Sequence, residues 1–172
     1  MIACVDVDYR EVGAVAACVC FQAWGDDTPA SESAIEIRDV APYQSGQFYR
    51  RELPCILAVL KLLPELPPVI IIDGYVWLGA QQPGLGAHLY EALGRRVAVI
   101  GVAKTRFVRA EPVEAVLRGR SRSPLYVTAV GMDVAEAAGH IRTMHGPYRI
   151  PTLLKRVDQL SRGQEAVTAH GH

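Results

Sequence analysis

The stretch Val69-Ile70-Ile71-Ile72-Asp73-Gly74 decides the fold. Four β-branched apolar residues are followed by one carboxylate and one glycine. An uninterrupted apolar run of this kind reads as a central strand covered on both faces. Open α/β sheets carry their chemistry at the carboxyl ends of such strands, and Asp73 stands at that end. An Asp-Gly pair is also common turn chemistry, so Asp73 on its own serves equally well as a loop residue helping Gly74 to turn the chain. The choice rests on whether other carboxylates can be brought to the same place.

Downstream of this strand, Gly84-Leu85-Gly86 opens a helix through Leu93 that carries His88. A lone histidine on a helix is more often structural than catalytic. Val97 to Lys104 is a second buried strand, ending in a cation. The helix between the two strands implies a right-handed parallel crossover, which brings Lys104 out on the same sheet edge as Asp73. Pro112 to Leu117 reads as a short strand. Arg118-Gly119-Arg120-Ser121-Arg122 reads as a basic turn, either a phosphate contact or a solvated hairpin tip. Pro124 to Val130 is a last strand. Helices follow from Asp133, an N-cap, to about Met144, and from Pro151 to about Leu160. Residues 161–172 read as a mobile tail, which leaves one domain over residues 1–160.

Upstream, Met1 to Tyr9, Ala14 to Trp24 and Ala34 to Val40 read as three strands joined by short connections, an antiparallel meander. In the first, Ile2, Cys4, Asp6 and Asp8 share one side under the two-residue period. Acids on a buried strand are costly unless they bind a cation. After the loop Ala41-Pro42-Tyr43-Gln44-Ser45-Gly46, a helix runs from about Gln47 to Leu63. Its apolar stripe is Tyr49, Leu53, Ile56, Leu57 and Leu60. Glu52 is three residues after Tyr49 and four before Ile56, so it lies on that stripe and needs a partner.

A chain of 172 residues with half of them apolar can bury a substantial core. Cys4, Cys18, Cys20 and Cys55 lie in apolar runs and form no zinc-like CxxC pair, so they read as buried reduced thiols. No stretch is long enough to span a bilayer and no basic-then-apolar leader opens the chain, so a soluble cytoplasmic protein with no membrane partner is expected. The net charge is zero but unevenly spread: residues 1–92 hold 5 Lys/Arg against 12 Asp/Glu, and residues 93–172 hold 13 against 6. An acidic site within basic surroundings suits a metal-dependent enzyme acting on phosphates.

Three antiparallel strands, a helix, then strand–helix–strand is the order of the ribonuclease H-like fold: a mixed sheet, antiparallel then parallel, flanked by helices. In that fold Asp6, Glu52 and Asp73 converge, and their hard oxygens suit Mg²⁺, with Mn²⁺ as a substitute. Several runs also resemble one family, the endonuclease V nucleases directed at deoxyinosine. They are Val5-Asp6-Val7, Pro42-Tyr43 with Gly46, Arg51-Glu52 with Pro54, Val69 to Gly74, and Gly84-Leu85-Gly86 with His88. Ile100 to Lys104, Pro124 to Val127 and Arg149-Ile150-Pro151 complete the set.

The resemblance implies that Asp6 and Asp73 bind metal, that Glu52 is the third acidic catalytic residue, and that Lys104 is an active-site cation. It implies that Pro42 and Tyr43 begin a wedge inserted beside a flipped base, and that Gly46 lets the backbone approach that base. Arg120 is the expected phosphate contact on the basic turn. The implied reaction is magnesium-dependent hydrolysis of the second phosphodiester 3′ to hypoxanthine in DNA or RNA, a DNA-repair activity leaving 3′-OH and 5′-phosphate. The alternative is a non-cleaving binder of damaged or structured nucleic acid on the same fold. The chain departs from the family pattern in four places. Gln44, Ser45 and Gln47 make the wedge more polar. Tyr75 and Val76 stand where the family usually has a small or polar residue and a glycine, and are expected to crowd the base pocket. The histidine of the family's Gly-His pair is missing, its position falling on Gly131. The sequence also opens directly on the first strand, without the family's N-terminal helical segment. Reduced or altered activity is therefore expected.

Overall fold

The computed structural model describes residues 1–42, 45 and 48–163, with Phe48 described by its backbone alone. The expectations placed on Tyr43, Gln44, Gly46 and Gln47, and on the tail from residue 164, lie outside the described residues. Strands β1 (Ile2–Tyr9), β2 (Ala14–Phe21) and β3 (Ser31–Ile37) form the antiparallel meander. Helix α1 (Phe48–Leu60) follows, then β4 (Val69–Asp73), a small hairpin β5 (Trp77–Gly79) and β6 (Gln82–Pro83), and helix α2 (Leu85–Ala92). The chain continues through β7 (Ala98–Ala103), β8 (Glu114–Val116), β9 (Leu125–Val130), α3 (Val134–Thr143) and α4 (Thr152–Ser161).

Seven strands make one mixed sheet in the order β3-β2-β1-β4-β7-β9-β8, with β4 in the centre as its apolar run requires. It pairs in parallel with both β1 and β7. Two features were not foreseen. The β5–β6 hairpin fills the connection before α2, and β9 runs antiparallel to β7, because it returns along the sheet after β8 rather than through a helical crossover. The third strand also begins earlier than its apolar residues suggest, at Ser31. Backbone pairing with Cys20 fixes that start, whatever the polarity of the side chain.

Alternation along the strands divides the core. Ala14, Ala16, Cys18, Cys20, Ile70 and Ile72 face α1 and α2. Ala17, Val19, Phe21, Cys4, Ile71 and Val102 face α3 and α4. Every residue of β2 is buried, which explains why it is built of small and apolar residues without a polar face. The four thiols are free and buried, as expected. Among the described residues no helix is long and apolar enough to cross a membrane.

The basic turn after β8 divides in two. Arg118 turns inward and is 5% exposed. It donates to the carbonyls of Met144, Gly146, Tyr148 and Arg149 at 2.6 to 3.2 Å. It is a staple for the turn that precedes α4, not a phosphate contact; Arg120 is exposed. Removing a buried charged donor strands its acceptors, so Arg118→Ala is expected to lower stability by about 3 kcal/mol. Arg120→Ala should stay within about 0.5 kcal/mol of wild type. Urea midpoints of the two variants check the contrast.

Candidate active site

The parallel register places the acids. Ile2, Ala3 and Cys4 pair with Val69, Ile70 and Ile71; carried on at the same offset, Asp6 is level with Asp73. Asp6 shares a strand face with Cys4, and Asp73 with Ile71, both of which pack towards α3 and α4. Asp73 pairs with Val102 on β7, and Lys104 stands two residues further along that same face. The face therefore presents two carboxylates and one cation side by side where the parallel strands end.

A cavity of about 340 Å³ opens there. Asp6, Asp73, Lys104 and Asp158 line it, with Arg149 and Lys155 beside them and an apolar floor that includes Ile71, Val102, Leu125 and Leu154. Asp158 was not anticipated from the sequence. It lies on α4 four residues after Leu154 and three before Ser161, the spacing that places Glu52 on its own helix stripe. Ser161 donates its hydroxyl to Asp6 Oδ2 at 3.3 Å. Arg162 pairs with Asp158 Oδ1 at 3.1 Å.

Glu52 reaches the site from the other side of the sheet. It stands on α1, whose apolar residues belong to the opposite half of the core, and it is not part of the cavity wall. The acids nevertheless feel one another. Burial, then the charge of Asp73, then a hydrogen bond to Asp158 push the Asp6 carboxyl up to about 7. Burial, then the charges of Asp73 and Asp6, push Glu52 up to about 7, with Arg51 opposing. Loss of hydration at the strand end also raises Asp73, although the residue stays exposed at the cavity mouth, with Lys104 acting against it. Such mutual elevation is the mark of carboxylates crowded with too little positive charge.

The donor set is all hard oxygen, which fits Mg²⁺ or Mn²⁺. Among the described residues, no three Asp, Glu, His or Cys side chains are drawn together tightly enough to cage an ion. The three-acid cluster expected from the sequence is thus a neighbourhood rather than a closed cage. Mg²⁺ needs no such cage: it commonly takes one or two carboxylates and completes its shell with water and phosphate oxygens. Asp6 and Asp73, level on adjacent strands, fit that role.

Two expectations, those on position 131 and on Val76, are corrected. Gly131 has φ +78° and packs on Ala98, at the start of β7. Because β9 is antiparallel, its end lies at the sheet edge away from Asp73, so a residue at position 131 cannot complete this site. Val76 does not crowd a pocket; it is fully buried, with Gly86 and Ile72 shaped around it. His88 stacks on Tyr49 with ring centroids 3.6 Å apart, which is a packing role. Pro42 is exposed in the loop before α1. Arg120 lies on the turn joining β8 to β9, at the Ala103 end of β7, the edge that carries the acids.

Residues 1–143 match the family model for Endonuclease V. Endonuclease V of Streptomyces avermitilis is 33% identical over 182 residues, spanning 92% of this chain and 77% of the relative. That of Azotobacter vinelandii is 30% identical, spanning 94% and 81%. The solved Streptomyces avermitilis structure superposes with a TM-score of 0.76 at 27% identity, covering 94% of this chain and 79% of that one. Ciona intestinalis endonuclease V, in complex with a 23-mer DNA containing an inosine followed by a ribo-adenosine, gives a TM-score of 0.81 at 20% identity, covering 95% and 84%. Fold and sequence agree: the chain belongs to the endonuclease V family.

Proposed function

We propose that this protein is a divalent-metal-dependent endonuclease that cuts nucleic acid 3′ to a deaminated base, inosine, in DNA or RNA. The observation that carries the reading is the placement of Asp6, Asp73 and Asp158 beside Lys104 in one cavity at the end of the parallel strands, with Glu52 within electrostatic reach from α1, in a member of this family. Acids held this close without a compensating cation disfavour their own ionisation. Asp6 and Asp73 are the pair to hold Mg²⁺. Once bound, such an ion offers Lewis acidity towards a phosphate and offsets its charge.

The remaining residues have distinct tasks. Glu52, whose carboxyl is pushed up in the metal-free chain by burial and by the Asp73 and Asp6 charges, is the acid assigned to holding or releasing a proton. Lys104, on the Asp73 side of the cavity, sets a positive charge where a phosphate would approach. Asp158 faces Asp6 across the cavity from the helix side and helps to hold the proton affinity of that carboxyl up. Arg120, with Pro42, Tyr43 and Gly46, is assigned to the nucleic acid itself.

The test is direct. Inosine-containing DNA and RNA strands are incubated with Mg²⁺ or Mn²⁺ and the purified protein. Cleavage one nucleotide beyond the phosphodiester adjoining inosine is expected, and Glu52→Gln should fold normally while cutting about a hundredfold more slowly. A wild-type protein that retains the strand but never cuts it is a binder instead, and normal cutting by Glu52→Gln removes Glu52 from the machinery.

A further inference from the structure

We infer that Tyr75 is a positioning residue: its hydroxyl fastens the segment after Lys104 to the end of the Asp73 strand and so sets where Lys104 stands. The task of Lys104 rests on the function proposed above; the fastening does not. The Tyr75 hydroxyl donates to the Thr105 carbonyl at 2.7 Å and accepts from the Phe107 N–H at 2.9 Å. One phenol thus uses its donor and its acceptor capacity on either side of Arg106. The Phe107 ring lies tilted against the Tyr75 ring, with centroids 6.0 Å apart.

The anchor for this clasp is rigid. The Gly74 N–H donates to the Val102 carbonyl at 3.0 Å, the Tyr75 carbonyl accepts from the Gly86 N–H at 3.2 Å, and the Val76 N–H donates to Thr128 Oγ1 at 2.8 Å. Tyr75 is therefore held by β7, by the start of α2 and by β9. The segment it grips is the reverse: residues 104–109 are exposed and belong to no strand or helix. From the other side, Arg149 donates to the carbonyls of Lys104 and Pro124. The main chain of Lys104 is consequently held between the Asp73 strand and the segment leading into α4, which carries Asp158. A lysine side chain is a flexible stem, so its ammonium can be aimed only if its Cα is fixed. The Tyr75 side chain thus reaches across to Thr105 and Phe107 instead of filling a pocket.

Tyr75→Phe in the full-length protein removes one oxygen and keeps the ring. Hydrogen exchange at the Phe107 amide should accelerate at least tenfold, while the amides of β4 and β7 stay protected. With an inosine-containing strand, kcat should fall about tenfold with KM within twofold, the split expected when a group acting in the transition state is displaced. In a Lys104→Ala background the same change should cost no further activity, because it acts through Lys104. Unchanged exchange at Phe107 overturns the proposal. So does an undiminished kcat, or a full tenfold loss persisting without Lys104. If the wild type cuts no strand, the function proposed above fails, and the exchange measurement alone then decides whether the clasp exists.

Discussion

Asp73→Asn is expected to reduce strand cleavage by about a thousandfold or more and, in the same protein, to make the metal-free chain harder to unfold. The two effects have one cause. Asp73 is level with Asp6 on adjacent parallel strands, and its charge is the largest electrostatic influence on both Asp6 and Glu52 after burial. Replacing its carboxylate by a nearly isosteric amide removes a ligand from the pair assigned to the ion, so catalysis is lost. It also removes like-charge repulsion from two half-buried acids, so the fold gains. Thermal unfolding in EDTA and cleavage in Mg²⁺, measured on one preparation, check both. A variant that loses activity and stability together would make Asp73 a structural residue, and one that cuts normally would take it out of the site. Functional residues often cost stability, and the trade should be visible here in one substitution.

What the sequence disclosed, and what it did not, follows from the range of the signals. Asp6 and Asp73 were legible because a two-residue period and a strand end are local facts. Glu52 was legible because an acid on an apolar helix stripe contradicts its surroundings. Asp158 carries the same contradiction, three before Ser161 and four after Leu154. A nearby Arg162 at the i+4 position offers it an ordinary surface partner, which hides the signal. Arg118 was misread for the opposite reason. Three arginines among glycine and serine look solvated, and only the carbonyl-rich turn at residues 144–149, remote in sequence, draws one of them inward. The direction of β9 was not readable at all, since a strand's own residues do not say which way it runs beside its neighbour. That direction nevertheless decides that position 131 has nothing to do with the acids.

The proton affinities lead to the other large effect, a stability that falls as pH rises and is restored by a divalent ion. Asp6 and Glu52 are both held near 7 in the folded protein, against ordinary values of 3.8 and 4.5. Folded-state values above unfolded ones mean that the native chain binds more protons across this interval. The contribution is fully present below about pH 4 and is lost as pH climbs to about 7. Each tenfold change in proton affinity is about 1.4 kcal/mol, so Asp6 alone corresponds to about 4 kcal/mol and Glu52 to about 3. The two repel each other and Asp73, so the values do not add, and a combined loss on the order of 5 kcal/mol is expected. In EDTA, the unfolding temperature should therefore decline from pH 5 to pH 7.5. Added Mg²⁺ or Mn²⁺ should raise it at pH 7.5, where the carboxylates are free to bind, and much less at pH 5, where protons hold the same oxygens. Na⁺ at equal ionic strength should not reproduce the effect, because screening weakens the repulsion without ligating it. A metal-free unfolding temperature that rises over this interval, or an ion effect equal at both pH values, would show that the acids are not pressed together as described, and the assignment of Asp6 and Asp73 to a metal would fall with them.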